Sequence, residues 1–338
     1  MHNILEIKSK ISDYKLSFVD TIQEIEYYID QPNTITFIDD NVNNLYPSLQ
    51  RDNNIILTSS EAIKSYTGTA RVLQNLTERR ANIQTKLVVI GGGVLQDLIG
   101  FCASVYCRGI QYTLIPTTLL AQADSCVGGK TSINFVDRKN IIGTFYPPTD
   151  IIVYPKFTQT LSKLDYTSGL GEIFKFHILQ NKILDFDPAS SIESMIHDGL
   201  KYKIDILSRD EFDKGERKFL NFGHTFGHAL ESTSENIIPH GIAVIIGSMV
   251  AVMISKELGY NVSNYDSIIE KGISLIKNNN LTFKQEWFDL DLLLEIIKSD
   301  KKSTGKLTMV LINDKPFLEN IENTNILIKV LNQIYEII

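Results

Sequence analysis

Along the first half of the chain, short apolar and β-branched runs alternate with stretches of helical length. "TITFIDD" (34–40), "NNIILTS" (53–59), "KLVVIGGG" (86–93), "QYTLIPT" (111–117) and "DIIVYP" (150–155) are almost continuously apolar rather than alternating. That is the pattern of strands covered on both faces, as in a parallel sheet. The helical intervals between most of them predict the βαβ rhythm of a doubly wound α/β domain. Beyond about residue 160 the rhythm stops. "ILIKVLNQIYEII" places Leu327, Leu331, Ile334 and Ile338 on one helical stripe, and "LDLLLEIIKS" is similarly amphipathic. The pattern therefore predicts a parallel-sheet domain over 1–160 and a helical domain over 161–338, with the boundary in "TQTLSK" (158–163) and a loop at "KNNNLT" (277–282). The longest apolar run, "IAVIIGSMVAVMI" (242–254), is too short to span a bilayer and reads as a buried helix.

Composition narrows the picture without changing it. The chain has 338 residues, 43% apolar and 22% charged, the mix of a soluble globular protein with length enough for two cores. A net charge of −7 with no long cationic run argues against a general affinity for nucleic acid or anionic lipid. An anionic ligand would have to be held by local cations. Cys102, Cys107 and Cys126 form no Cys-x-x-Cys pair, which fits a reduced, cytoplasmic setting in which they are small hydrophobes. The start, "MHNILEIKSKISDYK", lacks the apolar core of a signal peptide.

Two glycine loops and a histidine cluster carry the candidate chemistry. "VVIGGGVLQDLIGF" (88–101) places three glycines between an apolar strand and a helix. There, main-chain N–H groups and a helix N-terminus could receive a pyrophosphate, although the run is not Gly-x-Gly-x-x-Gly and a ligand-free turn reads almost as well. Asp39 and Asn41 close an earlier strand, where an open sheet meets a ribose or simply turns. In the second loop, 116–148, Asp124, Lys130, Lys139 and Asn140 surround Gly128 and Gly129, which suits a phosphate or carboxylate in a backbone nest as well as a solvated loop.

Half of the six histidines, His224, His228 and His240, fall within seventeen residues. With 217–231 taken as a helix, Arg217, Asn221, His224 and His228 share one face, opposite Phe219, Phe222, Phe226 and Leu230. Gly223 and Gly227, costly inside a helix, suggest that something approaches closely. Spacing alone lets His224 and His228 bind one metal, completed by His240 and a carboxylate such as Glu172 in "SGLGEIFKFHIL", with Lys175 one turn on.

Taken together, "GGGVLQDLIGF", "RGIQYTLIPTTLLAQADSCVGGKTSIN", "KNIIGTFYPP", "GLGEIFKF", "LNFGHTFGHALES" and "HGIAV" stand in the order seen in 3-dehydroquinate synthases, which the chain resembles over residues 34–312. These are NAD-dependent sugar-phosphate cyclases of the shikimate pathway. The resemblance implies a Rossmann-like N-terminal domain, a helical C-terminal domain and a homodimer. It also implies bound NAD and one catalytic divalent metal, zinc or cobalt. The implied metal ligands are Glu172, His224 and His240, which makes His228 a substrate-facing group. Lys130, Asn140, His228 and Arg108, the last reaching from the partner subunit, match the substrate and phosphate-handling positions. Lys175, Lys203, Arg217 and Asn221 match those around the substrate carboxylate and hydroxyls, and Lys301 or Lys302 a phosphate contact. Asp39, Asn41, Glu61, Lys64, Gly92, Gly93, Asp97, Thr117, Thr118 and Thr160 resemble the cofactor-binding set, with Asp124 and Lys139 near the nicotinamide. The implied reaction converts 3-deoxy-D-arabino-heptulosonate 7-phosphate to 3-dehydroquinate and phosphate by transient oxidation, β-elimination, re-reduction and aldol closure. Sister cyclases making 2-deoxy-scyllo-inosose or 2-epi-5-epi-valiolone are the nearest alternative. Their substrates lack the carboxylate that Lys203 and Arg217 would serve. Five places depart from the family pattern: Ser132 for Gly, Asp165 and Asp213 for Glu, Phe176–His177 for Tyr–Gly, and Ile242 for Glu.

Overall fold

The computed structural model describes residues 4–136, 138–279, 281–299 and 307–338. By internal contacts the chain forms two compact units, Met1–Leu161 with Lys203–Phe212, and Ser162–Tyr202 with Asp213–Ile338. The return of 203–212 to the first unit is not foreseen in a simple split at 160.

In the first unit the strands are β1 (Ile4–Ile7), β2 (Tyr14–Phe18), β3 (Thr34–Asp39), β4 (Ile55–Leu57), β5 (Lys86–Gly91), β6 (Tyr112–Pro116), β7 (Lys130–Phe135), β8 (Arg138–Phe145) and β9 (Asp150–Val153). Its helices are α1 (Ile22–Ile29), α2 (Asp40–Leu45), α3 (Tyr66–Glu78) and α4 (Gly93–Val105). Seven strands build one sheet in the order β1-β2-β9-β6-β5-β3-β4, parallel except for the β1–β2 pair. The five expected strands are β3, β4, β5, β6 and β9. β6 is buried along its whole length, and β3 and β5 at all but their first residue, as their unbroken apolar runs require. The β1–β2 hairpin was not foreseen, and the expected loop at 116–148 holds the separate β7–β8 hairpin. From β3 the chain steps outward to β4, then crosses back to β5 on the other side of β3. The carboxyl ends of β3 and β5 thus flank a topological switch point, the place where an open sheet takes its ligand.

In the second unit the helices are α5 (Lys163–Leu179), α6 (Ile192–Arg209, whose last residues belong to the first unit), α7 (His224–Thr233), α8 (His240–Glu257), α9 (Tyr265–Lys277), α10 (Leu290–Ser299) and α11 (Thr324–Ile337). Among the described residues the helical expectation has one exception, an antiparallel hairpin of β10 (Thr308–Asn313) and β11 (Lys315–Asn320), turned at Asp314 with φ 57°. Its run "TMVLIN" is apolar but only six residues long, which suits a strand as well as half a helix. The core axis is α8. It is long and apolar enough to cross a membrane by composition, yet 83% of that stretch is buried. α5 and α7 pack directly on it.

Candidate active site

Two pairs of close backbone approaches build the site in the second unit. α5 and α8 meet at Gly171 and Gly241, where a methyl group on Gly241 would stand 1.7 Å from the Ser168 carbonyl oxygen. The residues beside these glycines are Glu172 and His240, so the helix crossing itself delivers a carboxylate and an imidazole to one point. α7 and α8 meet at Gly227 and Gly247, the close approach that the glycines of "FGHTFGH" suggested.

The single helix expected over 217–231 does not form. A short 3-10 turn, Glu216–Asn221, ends at Phe222, and Gly223 takes φ 77° before α7 begins at His224. Only glycine adopts that left-handed turn without strain, and it breaks the register between Arg217 and the histidines. The spacing of His224 and His228 within α7 survives, with their rings 5.1 Å apart.

His224, His240 and Glu172 converge, their ligand atoms all within 4.8 Å of one another. His224 Nδ1 lies 3.1 Å from the Phe222 carbonyl oxygen, and His240 Nδ1 lies 2.9 Å from Glu231 Oε2. A carbonyl or carboxylate only accepts, so each Nδ1 carries the hydrogen. Each ring therefore turns Nε2 inward, at 3.4 and 3.2 Å from the same oxygen, Glu172 Oε1. Three electron-pair donors then face one another, an arrangement that needs a positive charge among them. A proton on His240 can supply it. Burial opposes that charge, but hydrogen bonds to Glu172 and Glu231 outweigh it and raise His240 to about 10. Glu172 is 1% exposed, and burial alone would raise its pKa. The ammonium of Lys175, which touches its other oxygen, and His224 instead hold it well below the usual carboxylate range. Two imidazoles with fixed outer nitrogens and one ionised carboxylate fit a zinc- or cobalt-like cation. His228 is exposed and joins Glu231 and His240 in a second, overlapping trio, rather than the first. Desolvation and the neighbouring imidazoles hold it below the ordinary histidine pKa.

The first unit brings together a second group. Gly92, extended and without a side-chain cap, opens α4 straight from β5, so the first N–H groups of the helix face the switch point. Asp39 ends β3 there, 6% exposed, and its Oδ1 caps α2 by accepting from the N–H groups of Asn41 and Val42. Lys64, 5% exposed, binds Asp97 and donates to Asn140 Oδ1 at 2.5 Å. Burial raises the Asp97 pKa even with that lysine beside it. Ser132 Oγ stands between Asp97 and Asn140, at 3.2 and 2.9 Å. Asn134 ties the group to Glu61 at 2.7 Å and to the Asn140 N–H at 2.9 Å. Lys203 Nζ is held by the carbonyl and carboxylate of Asp124, at 2.6 and 2.9 Å. A separate open cavity of about 560 Å³, lined by Asp30, Arg51, Arg79, Arg80 and Thr85 among others, contains none of the expected residues.

Residues 54–168 match the 3-dehydroquinate synthase N-terminal family, and residues 169–303 match the 3-dehydroquinate synthase C-terminal family. The chain belongs to the 3-dehydroquinate synthase family. It is 36% identical to the 3-dehydroquinate synthase of Dictyoglomus turgidum, across 85% of this chain and 84% of that one. Among solved structures it resembles a 2-deoxy-scyllo-inosose synthase complexed with carbaglucose-6-phosphate, NAD+ and Co2+, with TM-score 0.84 and 21% identity over 98% of this chain and all of that one. It also resembles the 2-epi-5-epi-valiolone synthase ValA of Streptomyces hygroscopicus with NAD+ and Zn2+ bound, with TM-score 0.83 and 21% identity over 97% and 98% of the two chains. At that identity the two structures speak to the fold, which is dehydroquinate synthase-like.

Against that family, the expected residues fall into groups. Lys175 is buried against Glu172 and 4.5 Å from the Phe176 ring centroid. Arg217 is buried in the 3-10 turn that ends with Asn221. Thr117 is buried just after β6, and the methyl of Thr118 faces Gly92. Lys130 and Lys139 are exposed on the β7–β8 hairpin, and Thr160 is exposed at the end of a short 3-10 turn. Arg108 is exposed in a left-handed turn of its own, φ 65°. Lys301 and Lys302 lie outside the described residues.

The departures acquire local reasons. Asp165 completes the cap of α5, its N–H donating to Ser162 Oγ at 3.1 Å and its carboxylate accepting from that hydroxyl at 2.7 Å. Ile242 and Phe176 are fully buried core residues, His177 packs edge-on against Phe186, and Asp213 takes a left-handed φ of 61°. Glu231 and Asn134 were missed. Glu231 was legible as the residue seven after His224 and three after His228, on the same helical face. Asn134 had no sequence signal.

Proposed function

We propose that the chain is a 3-dehydroquinate synthase, a carbon–oxygen lyase that converts 3-deoxy-D-arabino-heptulosonate 7-phosphate to 3-dehydroquinate and phosphate with NAD and one divalent cation, zinc or cobalt. The observation that carries this is the inward-facing trio of Glu172, His224 and His240, its outer nitrogens already bound to acceptors, in a chain of this family. When bound, NAD supplies the hydride acceptor and donor for the substrate alcohol, and the cation supplies the Lewis acidity that makes that alcohol easier to deprotonate.

The chain's own residues do the rest. Glu172, His224 and His240 hold the cation. The N-terminus of α4 at Gly92 and Gly93 receives the pyrophosphate, with Asp39 beside it at the switch point, and Lys64 and Asp97 complete the cofactor side. Lys130, Lys175, Lys203, Arg217 and Arg108 supply fixed cations that orient a substrate charged at both ends, working against the net charge of −7. His228, as a neutral imidazole, can accept a hydrogen bond from a substrate hydroxyl. The working form is a cytoplasmic homodimer.

The test is phosphate release by protein supplied with NAD and cobalt or zinc. The heptulosonate phosphate is expected to turn over, whereas glucose 6-phosphate and sedoheptulose 7-phosphate are not. Turnover of either of the latter two alone would replace the substrate with that of a sister cyclase.

A further inference from the structure

Glu231 has no place in the ligand trio, yet it touches the trio at its least restrained member. His240 is the first residue of α8, preceded by Pro239, and its side chain is 30% exposed, against 1% for Glu172 and 13% for His224. His224 is held by a main-chain carbonyl two residues away, a partner that comes with the turn at Gly223. Among the described residues, the ring of His240 is bonded by side chains, those of Glu231 and Glu172. Its Nδ1 lies 2.9 Å from Glu231 Oε2, and Glu231 is 14% exposed on α7. The two residues come from different helices, so the bond also ties α7 to the start of α8.

A neutral imidazole has two tautomers and two ring orientations that differ by a flip. Only one combination puts Nδ1–H on Glu231 and the Nε2 lone pair toward Glu172 Oε1, 3.2 Å away. We propose that Glu231 is a positioning residue for the metal site: by accepting the Nδ1 hydrogen of His240 it selects the tautomer and ring orientation in which Nε2 is a ligand. The negative charge of Glu231 also makes that Nε2 a better electron-pair donor. This rests on the assignment of the cation to Glu172, His224 and His240. It adds a fourth residue that never contacts the cation but sets how tightly it is held. The neighbouring trio of His228, Glu231 and His240 offers a competing role, in which Glu231 is itself a ligand.

The experiment measures cobalt affinity by competition with a chromogenic chelator, and the visible spectrum of the cobalt-loaded protein. Both are read in wild type, Glu231→Gln, Glu231→Ala and His228→Ala. Outer partners of metal-bound histidines typically contribute about 10- to 100-fold in affinity. Glu231→Ala is expected to lose that much and to alter the cobalt bands. Glu231→Gln, whose amide oxygen still accepts from Nδ1, is expected to recover part of the affinity and the wild-type band shape. His228→Ala is expected to bind cobalt as wild type does. Unchanged affinity in both Glu231 variants would overturn the positioning role while leaving the trio standing. Equal losses in His228→Ala and Glu231→Ala would make Glu231 a ligand and overturn it too. If wild type held no cobalt, the trio assignment and the proposal would fall together. Should the alanine variant not fold, the glutamine variant decides alone, an affinity and spectrum identical to wild type counting against the proposal.

Discussion

Adding one methyl group at Gly241 should dismantle the proposed metal site without touching Glu172, His224 or His240. A Cβ on Gly241 would stand 1.7 Å from the Ser168 oxygen and 2.4 Å from its carbonyl carbon. Carbon and oxygen in contact need about 3.3 Å, so α5 and α8 must part by roughly 1.5 Å at this crossing. Both obstacles are helix backbone, and neither can swing aside as a side chain would. Overpacking of this kind costs about 1–3 kcal/mol. Parting the helices also breaks the bond from the Gly241 N–H to Ser168 Oγ, now 3.0 Å, for about 1 kcal/mol more. The same displacement opens the 3.2 Å gap between His240 Nε2 and Glu172 Oε1. Metal–ligand distances tolerate only about 0.2 Å, so Gly241→Ala is expected to lose more than tenfold in zinc or cobalt affinity by equilibrium dialysis, along with several degrees in melting temperature.

The control is Gly259→Ala, at φ 83° with nothing within 4 Å of the added carbon. It carries the backbone strain of a left-handed alanine, about 1–2 kcal/mol, far from the ligands. It should lower the melting temperature and leave metal affinity alone. Wild-type metal affinity in Gly241→Ala would refute the claim that the glycine crossing sets the ligand spacing. A matching loss of affinity in Gly259→Ala would show that the site merely follows global stability.

Further outcomes follow from the same geometry. His240→Ala should abolish retention of the cation through gel filtration, whereas His228→Ala should keep it and slow turnover; the reverse would exchange their roles. Lys64→Ala leaves the Asp97 carboxylate without its ammonium and the Asn140 Oδ1 with one donor fewer; it should weaken NAD binding at least tenfold by fluorescence titration, and unchanged affinity would remove Lys64 from the cofactor site. Burial lowers the folded pKa of His177 below its unfolded value of about 6.5. The unfolded chain therefore takes up the proton first as pH falls, and stability that is complete above about 6.5 declines below it. The urea midpoint should drop less between pH 7 and pH 5 in His177→Gln than in wild type, and parallel curves would show that His177 does not titrate this way. Cys102 and Cys126 are buried, with thiols that burial pushes up to about 12, whereas Cys107 is exposed. A disulfide reagent at neutral pH should titrate one thiol in the native protein and three after unfolding; rapid modification of a second native thiol would contradict that burial.

What could be read from the sequence divides along a physical line. Strands β3, β5 and β6 were legible because burial on both faces leaves an unbroken apolar run, a property of each segment alone. α8 was legible for the same reason. The hairpins β1–β2 and β10–β11 were not, since their short runs take strand form only when a partner lies alongside. The site shows the same division. Periodicity put His224 and His228 on one face, which is correct within α7, but it also carried Arg217 and Asn221 onto that face through a glycine whose left-handed turn no helical wheel records. Which histidine meets Glu172 is not a matter of spacing at all. His228 is as close to His224 in sequence as a metal-binding pair requires, yet it is His240, sixteen residues away, whose Nε2 meets Glu172, because Gly171 and Gly241 let two helix backbones touch. A helical period describes what one helix presents, and the trio of Glu172, His224 and His240 is decided where two helices cross. The small residues at such crossings therefore deserve to be read with the histidines beside them, as parts of one site.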